Sequence, residues 1–320
     1  MPIQLGVIMD PIESIQYYKD STLAMLWEAN ARGWPIFYLQ PADLFIQDGE
    51  AYGHARPLIP LKNPEQWYEL GEVITLRLST LNVILMRKDP PFDMNYIFTT
   101  QILDLAEQGG SLIINKPQSL RDFNEKLFIS YFPQCCAPTL VSQNLAQLKA
   151  FAAIHDHVVF KPLDGMGGRS VFQVKASDLN LNVILETLTD MGNRPIMAQK
   201  YIAEIREGDK RILLIDGEPV PYALARIPAA NEARGNLAAG GRGEGRPLTE
   251  RDRWICQQVA PTLKAHGLMW VGLDVIGDYL TEINVTSPTC IRELDKAFNL
   301  NISGMLFDVI EQKLTTQKIL

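Results

Sequence analysis

The sequence predicts an α/β protein whose first part carries a parallel sheet and whose second part is α+β with antiparallel strands. An apolar strand over residues 5–9, a helix that begins at Asp20-Ser21 and a strand over residues 35–39 form a strand–helix–strand unit. Such units are typical of parallel sheets covered by helices. Further along, apolar stretches flank the glycine-rich segment 160–170, and two alternating strands meet at Asp216-Gly217. Both patterns indicate hairpins of antiparallel strands.

The first part continues with a buried strand over residues 81–86, followed at once by Arg87 and Lys88. Polar residues at the end of a parallel strand lie where ligands bind in open α/β sheets. The alternative is that both side chains belong to a solvated loop. A helix over 96–108, a strand over 112–115 and a helix that runs from a Ser119 cap to Phe128, with Lys126 near its centre, complete this part.

The segment 160–170 reads FKPLDGMGGRS and predicts a loop that binds an anion. Gly165, Gly167 and Gly168 allow backbone N–H groups to turn towards a bound anion, and Lys161 can reach the same anion. The spacing matches neither a Walker loop nor a dinucleotide-binding fingerprint. The alternative is a hairpin with a flexible tip.

The second part contains one long segment without apolar periodicity, residues 228–247, which carries five glycines and three arginines. Structureless loops of this length are lids, binding loops or disordered segments. The regular elements around it are predicted as strands over 139–141, 196–202, 210–216, 218–227, 268–276 and 279–285, and helices over 145–155, 183–191, 250–266 and 300–314.

A second chemical cluster lies on the two strands joined by Gly277-Asp278. Pairing of these strands would bring Asp274 close to Glu282 and Asn284, with both carboxylates on one sheet face. Two carboxylates and an amide oxygen are ligands that Mg²⁺ uses when it also binds substrate phosphates. The alternative is a pair of satisfied surface carboxylates, but the phosphate loop elsewhere in the chain favours metal binding.

Composition narrows the class of protein. The net charge of −7 argues against general binding of nucleic acid, and no apolar run approaches the length needed to span a bilayer. The N-terminus lacks the features of a signal peptide. The four cysteines have neither zinc-site nor C-x-x-C spacing. These features predict a reduced, cytoplasmic protein of two or three domains. The adjacent Cys135 and Cys136 would be ordinary buried thiols, and a redox role is the alternative.

Longer strings resemble the bacterial glutathione synthetase family of the ATP-grasp superfamily. They run almost from end to end: MDP (9–11), LMRKDPPFD (85–93), NKPQSLRDFNEKLF (115–128), KPLDGMGG (161–168), GDKRILLIDGEPVPYALARIP (208–228), RGNLAAGGRGE (234–244), VGLDVIGD (271–278) and LTEINVTSPTCIRE (280–293). The resemblance implies an ATP-grasp fold preceded by a parallel-sheet pre-ATP-grasp domain. The implied domains are 1–122, 123–202 and 203–320, with the loop 228–247 mobile.

The resemblance also implies a reaction, the ATP-dependent joining of γ-glutamylcysteine to glycine through an acyl phosphate, giving glutathione, ADP and phosphate. It implies two Mg²⁺ ions, with Mn²⁺ as a substitute, held by Asp274, Glu282 and Asn284. Arg226, Arg211 and Lys161 would act in catalysis. ATP would contact Lys126, Lys161, Gly165, Met166, Gly167, Gly168, Gln199, Tyr201, Ile202 and Asp209.

The amino-acid substrates would meet a further set of residues. It comprises Arg87, Arg234, Asn236, Arg242, Ser287, Thr289 and Arg292. The family suggests a homotetramer, with no nucleic-acid or membrane partner. Two alternatives stay open: another ATP-grasp carboxylate–amine ligase, or an ATP-binding regulatory protein without catalysis. The presence of the metal ligands and of Arg226 favours activity.

Overall fold

The computed structural model describes residues 2–230, 235 and 240–317, which form three sheets with helices packed against them. Within these residues, no helix is long and apolar enough to cross a bilayer. Among the predicted elements that the structure contains are the parallel opening unit, the glycine-loop hairpin and the hairpin at Asp216-Gly217.

The first sheet has eight strands and a parallel centre, in the order β2-β1-β7-β8, with an antiparallel extension through β4. Helix α1 begins after Asp20, whose side chain accepts a hydrogen bond from the backbone N–H of Leu23, as an N-cap does. The elements are β1 (Leu5–Ile8), α1 (Ser21–Ala31), β2 (Ile36–Leu39), β3 (Leu44–Gln47), β4 (Glu50–Pro60), β5 (Tyr68–Leu70), β6 (Ile74–Arg77), β7 (Val83–Met86), α2 (Met94–Gln108), β8 (Leu112–Ile114) and α3 (Pro117–Asp122).

The predicted single helix from Ser119 to Phe128 is wrong. Helix α3 ends at Asp122, and a separate 3-10 helix covers Leu127–Tyr131. The Asn124 side chain accepts hydrogen bonds from the backbone N–H groups of Lys126 and Leu127, each at 3.0 Å, and so forms a turn between the two helices. Such local side-chain bonds compete with helical ones. Lys126 therefore lies in this turn, directly before the 3-10 helix, and not on the face of the predicted helix.

The second sheet is antiparallel, in the order β11-β10-β12-β9, and it packs against two helices around a hydrophobic core of its own. Its hairpin pairs Phe160 with Phe172, which leaves the glycine-rich segment as the connecting loop. The elements are β9 (Thr139–Ser142), α4 (Leu145–His155), β10 (His157–Pro162), β11 (Phe172–Lys175), α5 (Leu181–Leu188) and β12 (Ile196–Lys200).

The third sheet is also antiparallel, in the order β15-β14-β13-β16-β17. It shares a core with the first sheet, in which Leu5 and Val7 of β1 belong to the same cluster as Trp270 and Phe307. The elements are β13 (Asp209–Ile215), β14 (Glu218–Ile227), β15 (Arg242–Pro247), α6 (Glu250–Ala265), β16 (Trp270–Ile276), β17 (Tyr279–Asn284), α7 (Ile291–Phe298) and α8 (Ile302–Gln317).

One expectation about the third part needs correction, and one helix there was not predicted. The segment 228–247 is not structureless throughout, because β15 pairs with β14 as an edge strand. The closing helix predicted over 300–314 is present as α8. The helix before it, α7, was not predicted; it ends at Phe298, and its C-cap Asn299 is in the left-handed conformation with φ 52°.

Candidate active site

A cavity of about 950 Å³ lies where the three sheets meet, and it collects most of the side chains predicted to act. Loops from the first sheet close one end, and strands of the two antiparallel sheets form its walls. The predicted residues that line it are Lys126, Lys161, Gly165, Met166, Gly167, Gly168, Gln199, Tyr201, Ile202, Asp209, Arg211, Arg226, Asp274, Glu282, Asn284, Ser287 and Thr289.

The glycine loop covers one side of the cavity. Gly167 and Gly168 adopt φ values of 62° and 76°, in the left-handed region that favours glycine. A Cβ on Gly167 would meet no atom within 4 Å, so a lack of room for a side chain does not explain why glycine occurs at this position. Its backbone conformation does, and a loop with this conformation can turn its N–H groups inwards.

Two buried lysines converge on one carboxylate at the floor of the cavity. The Nζ atoms of Lys126 and Lys161 each lie 3.6 Å from Oε1 of Glu282. Burial lowers the pKa of Lys161, and Glu282 only partly offsets this. Burial alone would lower the pKa of Lys126 as well. The carboxylates of Glu282 and Glu125 outweigh this effect, so the pKa of Lys126 is raised. Both ammonium groups are placed to meet a polyanion.

Beside them lies a buried cluster of two arginines and two aspartates. Asp274 accepts hydrogen bonds from Arg211 Nε at 2.6 Å and Arg211 Nη2 at 3.1 Å, while Arg226 Nη2 lies 2.9 Å from Asp274 Oδ2. Burial alone would raise the pKa of Asp274, but the two guanidinium groups hold it well below its usual value. This carboxylate is therefore ionised.

Asp209 is the second aspartate of the cluster and behaves differently. Its Oδ2 accepts a hydrogen bond from Arg226, whereas its Oδ1 has no partner among the described residues. Burial raises its pKa to about 7; Arg226 opposes this shift, and Asp274 adds to it. The free oxygen is an acceptor available to a hydroxyl group of a ligand.

The predicted metal ligands lie on neighbouring strands. Asp274 and Glu282 are opposite each other in the register of β16 and β17. Asn284 donates from Nδ2 to the carbonyl of Gly272 at 3.2 Å, which leaves its amide oxygen as an acceptor. Within the described part of the chain, no three His, Cys, Asp or Glu side chains form a metal-binding group. Two carboxylates and an amide oxygen nevertheless fit Mg²⁺, because this ion takes few protein ligands when it also binds phosphates.

Another part of the cavity lining carries an aromatic and an aliphatic side chain. Tyr201 stacks on His157 with ring centroids 4.0 Å apart, and Ile202 is buried beside it. The amide of Gln199 donates to Thr139 Oγ1 at 3.1 Å. An aromatic edge, an aliphatic side chain and a fixed amide suit a planar heterocycle.

Arg87 lies beneath the loop that carries Ser287 and Thr289, and outside the cavity lining. It is 5% exposed, so the alternative of a solvated loop is wrong for this residue. Its Nε donates to Thr22 Oγ1 and its Nη2 to the carbonyl of Pro288, both at 3.1 Å. Ser287 Oγ donates to the Asp89 carboxylate. The first sheet thus holds this loop from below.

Two other arginines predicted to meet substrate lie away from the described cavity lining. Arg292 donates to the carbonyl of Tyr17, and its guanidinium lies 4.6 Å from the ring centroid of Trp27. Arg242 is on the edge strand β15, with 72% of its side chain exposed. The other two members of the set, Arg234 and Asn236, lie outside the described residues.

Comparison with protein families gives matches over nearly the whole chain. Residues 3–121 match the prokaryotic glutathione synthetase N-terminal domain, and residues 125–299 match the prokaryotic glutathione synthetase ATP-grasp domain. The chain belongs to the prokaryotic glutathione synthetase family. This confirms the family and the ATP-grasp fold class predicted from the sequence, and with them an ATP-dependent C–N ligase.

Individual relatives agree with the family match. The chain is 60% identical over 314 residues to a glutathione synthetase of Pseudomonas putida, covering 98% of this chain and 99% of the relative. It is 59% identical over 318 residues to a glutathione synthetase of Pseudomonas syringae pv. tomato, covering 99% and 100%. A crystal structure of D-cycloserine synthetase DcsG superposes with a TM-score of 0.68 at 14% identity, covering 97% of this chain and 99% of that one, which shows a shared fold.

Several acidic residues that line the cavity are not among the predicted site residues. Glu125 lies beside Lys126, and Asp10, Asp20 and Asp89 lie at the end formed by the first sheet. Two of these residues lie in strings that resemble the family: Glu125 is in NKPQSLRDFNEKLF and Asp10 is in MDP. Neither string shows by itself which of its residues face a ligand.

Proposed function

We propose that the protein joins the carboxylate of γ-glutamylcysteine to the amine of glycine, with conversion of ATP to ADP and phosphate. One observation carries the proposal. In a chain 60% identical to a curated glutathione synthetase, a glycine loop, two buried lysines and an arginine–aspartate cluster line one cavity. These groups suit phosphoryl transfer, which needs positioning and charge neutralisation more than a nucleophilic side chain.

The nucleotide would lie along the cavity between the two antiparallel sheets. Its adenine would pack near Gln199, Tyr201 and Ile202, and a ribose hydroxyl would donate to the free oxygen of Asp209. The phosphates would meet Lys126 and Lys161 under the loop of Gly165, Met166, Gly167 and Gly168. The buried position of both lysines supports this role, because desolvated cations bind anions more strongly than exposed ones do.

Asp274, Glu282 and Asn284 would hold two Mg²⁺ ions, with Mn²⁺ as a substitute. When bound, the metal ions supply charge neutralisation between the terminal phosphate groups. The oxygen-only character of the three ligands supports Mg²⁺ or Mn²⁺ over softer metals.

Arg226 and Arg211 would stabilise charge at the reacting centre. Both guanidinium groups are buried and oriented by Asp274, so they are fixed before substrate arrives. The dipeptide carboxylate would attack the γ-phosphorus of ATP, breaking its bond to the bridging oxygen and releasing ADP. The glycine amine would then attack the acyl carbon and displace phosphate. Lys161 would contact the transferred phosphoryl group in both steps.

An acyl phosphate is lost if water reaches it, so the reaction needs a cover. The segment 228–247 would supply it, and its Arg234 and Asn236 would face the amino-acid substrates. Ser287 and Thr289 would offer donors at the cavity end held by the first sheet. Arg87 would hold the loop of Ser287 and Thr289 through the carbonyl of Pro288. Contact of Arg242 or Arg292 with substrate would require these side chains to move towards the cavity. The proposed domains are 1–122, 123–202 and 203–320, and each of them contributes residues to the cavity.

We further propose a cytoplasmic homotetramer, on the basis of family membership alone. Size-exclusion chromatography with light scattering measures the subunit number directly. A monomer at micromolar concentration would remove that part of the proposal.

The decisive experiment measures phosphate release with γ-glutamylcysteine, glycine and Mg-ATP, against a control without glycine. We expect release that depends on both amino-acid substrates. Release with D-alanine or glutamate as the amine, and none with glycine, would favour another carboxylate–amine ligase. Binding of ATP without release under any of these conditions would favour a regulatory protein.

A further inference from the structure

The carboxylate of Glu125 lies inside the phosphate end of the cavity, yet the proposed reaction gives it no role. Its Oε1 accepts a hydrogen bond from Nζ of Lys126, the residue next to it in the chain. A carboxylate here costs affinity for a polyanion, because like charges repel. Its presence therefore calls for a function.

The backbone fixes Glu125 from two sides. Its carbonyl accepts a hydrogen bond from the N–H of Ile283 at 2.9 Å, which ties it to the strand that carries Glu282. The preceding residue, Asn124, donates from Nδ2 to the carbonyl of Leu163 at 2.9 Å, which ties the same turn to the start of the glycine loop. Glu125 is thus held between the metal-ligand strand and the phosphate loop.

Lys126 has three oxygen neighbours in this arrangement. Besides Glu125, its Nζ donates to the carbonyl of Gly165 at 2.6 Å and lies 3.6 Å from Oε1 of Glu282. Lys126 is only 3% exposed, and a buried cation needs an anionic partner. Without a charge on Glu125, Glu282 would be the only carboxylate near the ammonium group among the residues that the structure describes, and the ammonium group would close the present 3.6 Å separation to a direct hydrogen bond.

We propose that Glu125 is a positioning residue that keeps the Lys126 ammonium hydrogen-bonded beside Gly165, at 3.6 Å from Glu282 and not in a direct hydrogen bond with it. Two groups then remain available at once: Lys126 for the phosphates and the Glu282 carboxylate for a divalent cation. The inference rests on the nucleotide-binding part of the proposed function and adds to it a residue that acts through Lys126.

The test measures binding of Mg-ADP by calorimetry, without amino-acid substrates. Glu125→Gln keeps the shape of the side chain and removes its charge; we expect binding to weaken about tenfold and to need a higher Mg²⁺ concentration. Glu125→Asp, which keeps the charge, should recover part of the affinity. The matched control is Glu72→Gln at an exposed loop position outside the cavity lining, which should bind as the wild type does.

A double-mutant cycle with Lys126→Met separates this role from a direct one. If Glu125 acts through Lys126, Glu125→Gln should cause no further weakening in the Lys126→Met background. Wild-type affinity in Glu125→Gln, or equal weakening in both backgrounds, would overturn the inference. Failure of the wild-type protein to bind Mg-ADP would instead overturn the proposed function itself.

Discussion

Asp274 lies directly opposite Glu282 in the register of β16 and β17, but the two carboxylates have different partners. Asp274 pairs with two arginines, and Glu282 lies between two lysines. Adjacent strands thus place two anions side by side, each compensated by its own pair of cations. The proposed binding of phosphates and metal ions would use this arrangement.

Replacement of Asp274 by Asn should destabilise the protein as well as inactivate it. The change leaves Arg211 and Arg226 with less compensating charge in a buried cluster, and breaking a buried pair in this way costs about 3–5 kcal/mol. Urea unfolding measures the loss. Asp122→Asn at an exposed position is the control, and a variant as stable as this control would show that the cluster tolerates the missing charge.

Replacement of Glu282 by Gln should lower turnover strongly with a smaller effect on stability. Glu282 is partly exposed, and its amide analogue can still accept hydrogen bonds from the lysines. Weaker metal binding should appear as a higher Mg²⁺ concentration for half-maximal phosphate release. Turnover and Mg²⁺ dependence equal to those of the Glu72→Gln control would remove Glu282 from the site.

The ionisation of Asp209 should make stability depend on pH in a defined direction. Its pKa rises from 3.8 to about 7 on folding, because of burial. Between these values the folded chain binds more protons than the unfolded chain, so this group's contribution to the free energy of unfolding falls as pH increases. The difference between wild type and Asp209→Asn, measured by urea unfolding at both ends of this window, should show that fall. A difference independent of pH would contradict the assigned shift.

Cutting the chain between Gly235 and Gly240, at an engineered protease site, should reduce activity much more than stability. The edge strand β15 begins at Arg242 and would still pair with β14 after the cut. The control is a cut at the exposed Asp48-Gly49 turn, which should preserve both properties. Equal loss of activity and of thermal stability after the first cut would assign the segment a structural role.

Local sequence features predicted much of the fold because they act over short distances. The Asp20 cap, the turn at Asp216-Gly217 and the apolar residues of β10 each determine structure within a few residues. The edge strand β15 was missed for a physical reason. A Cβ on its Gly245 would lie 2.4 Å from Phe298 Cε2, so packing against a distant helix requires glycine where a strand would otherwise show a side chain.

For the candidate site, the sequence by itself determined the family, the glycine-rich loop and the set of charged residues, because these are encoded in contiguous strings. Only the tertiary structure decided which charges compensate one another. Lys126 meets Glu282 across more than 150 positions of chain, and Arg87 is buried under a loop some 200 positions away. Such pairings depend on how the three sheets pack, since burial removes the solvent that would otherwise screen each charge.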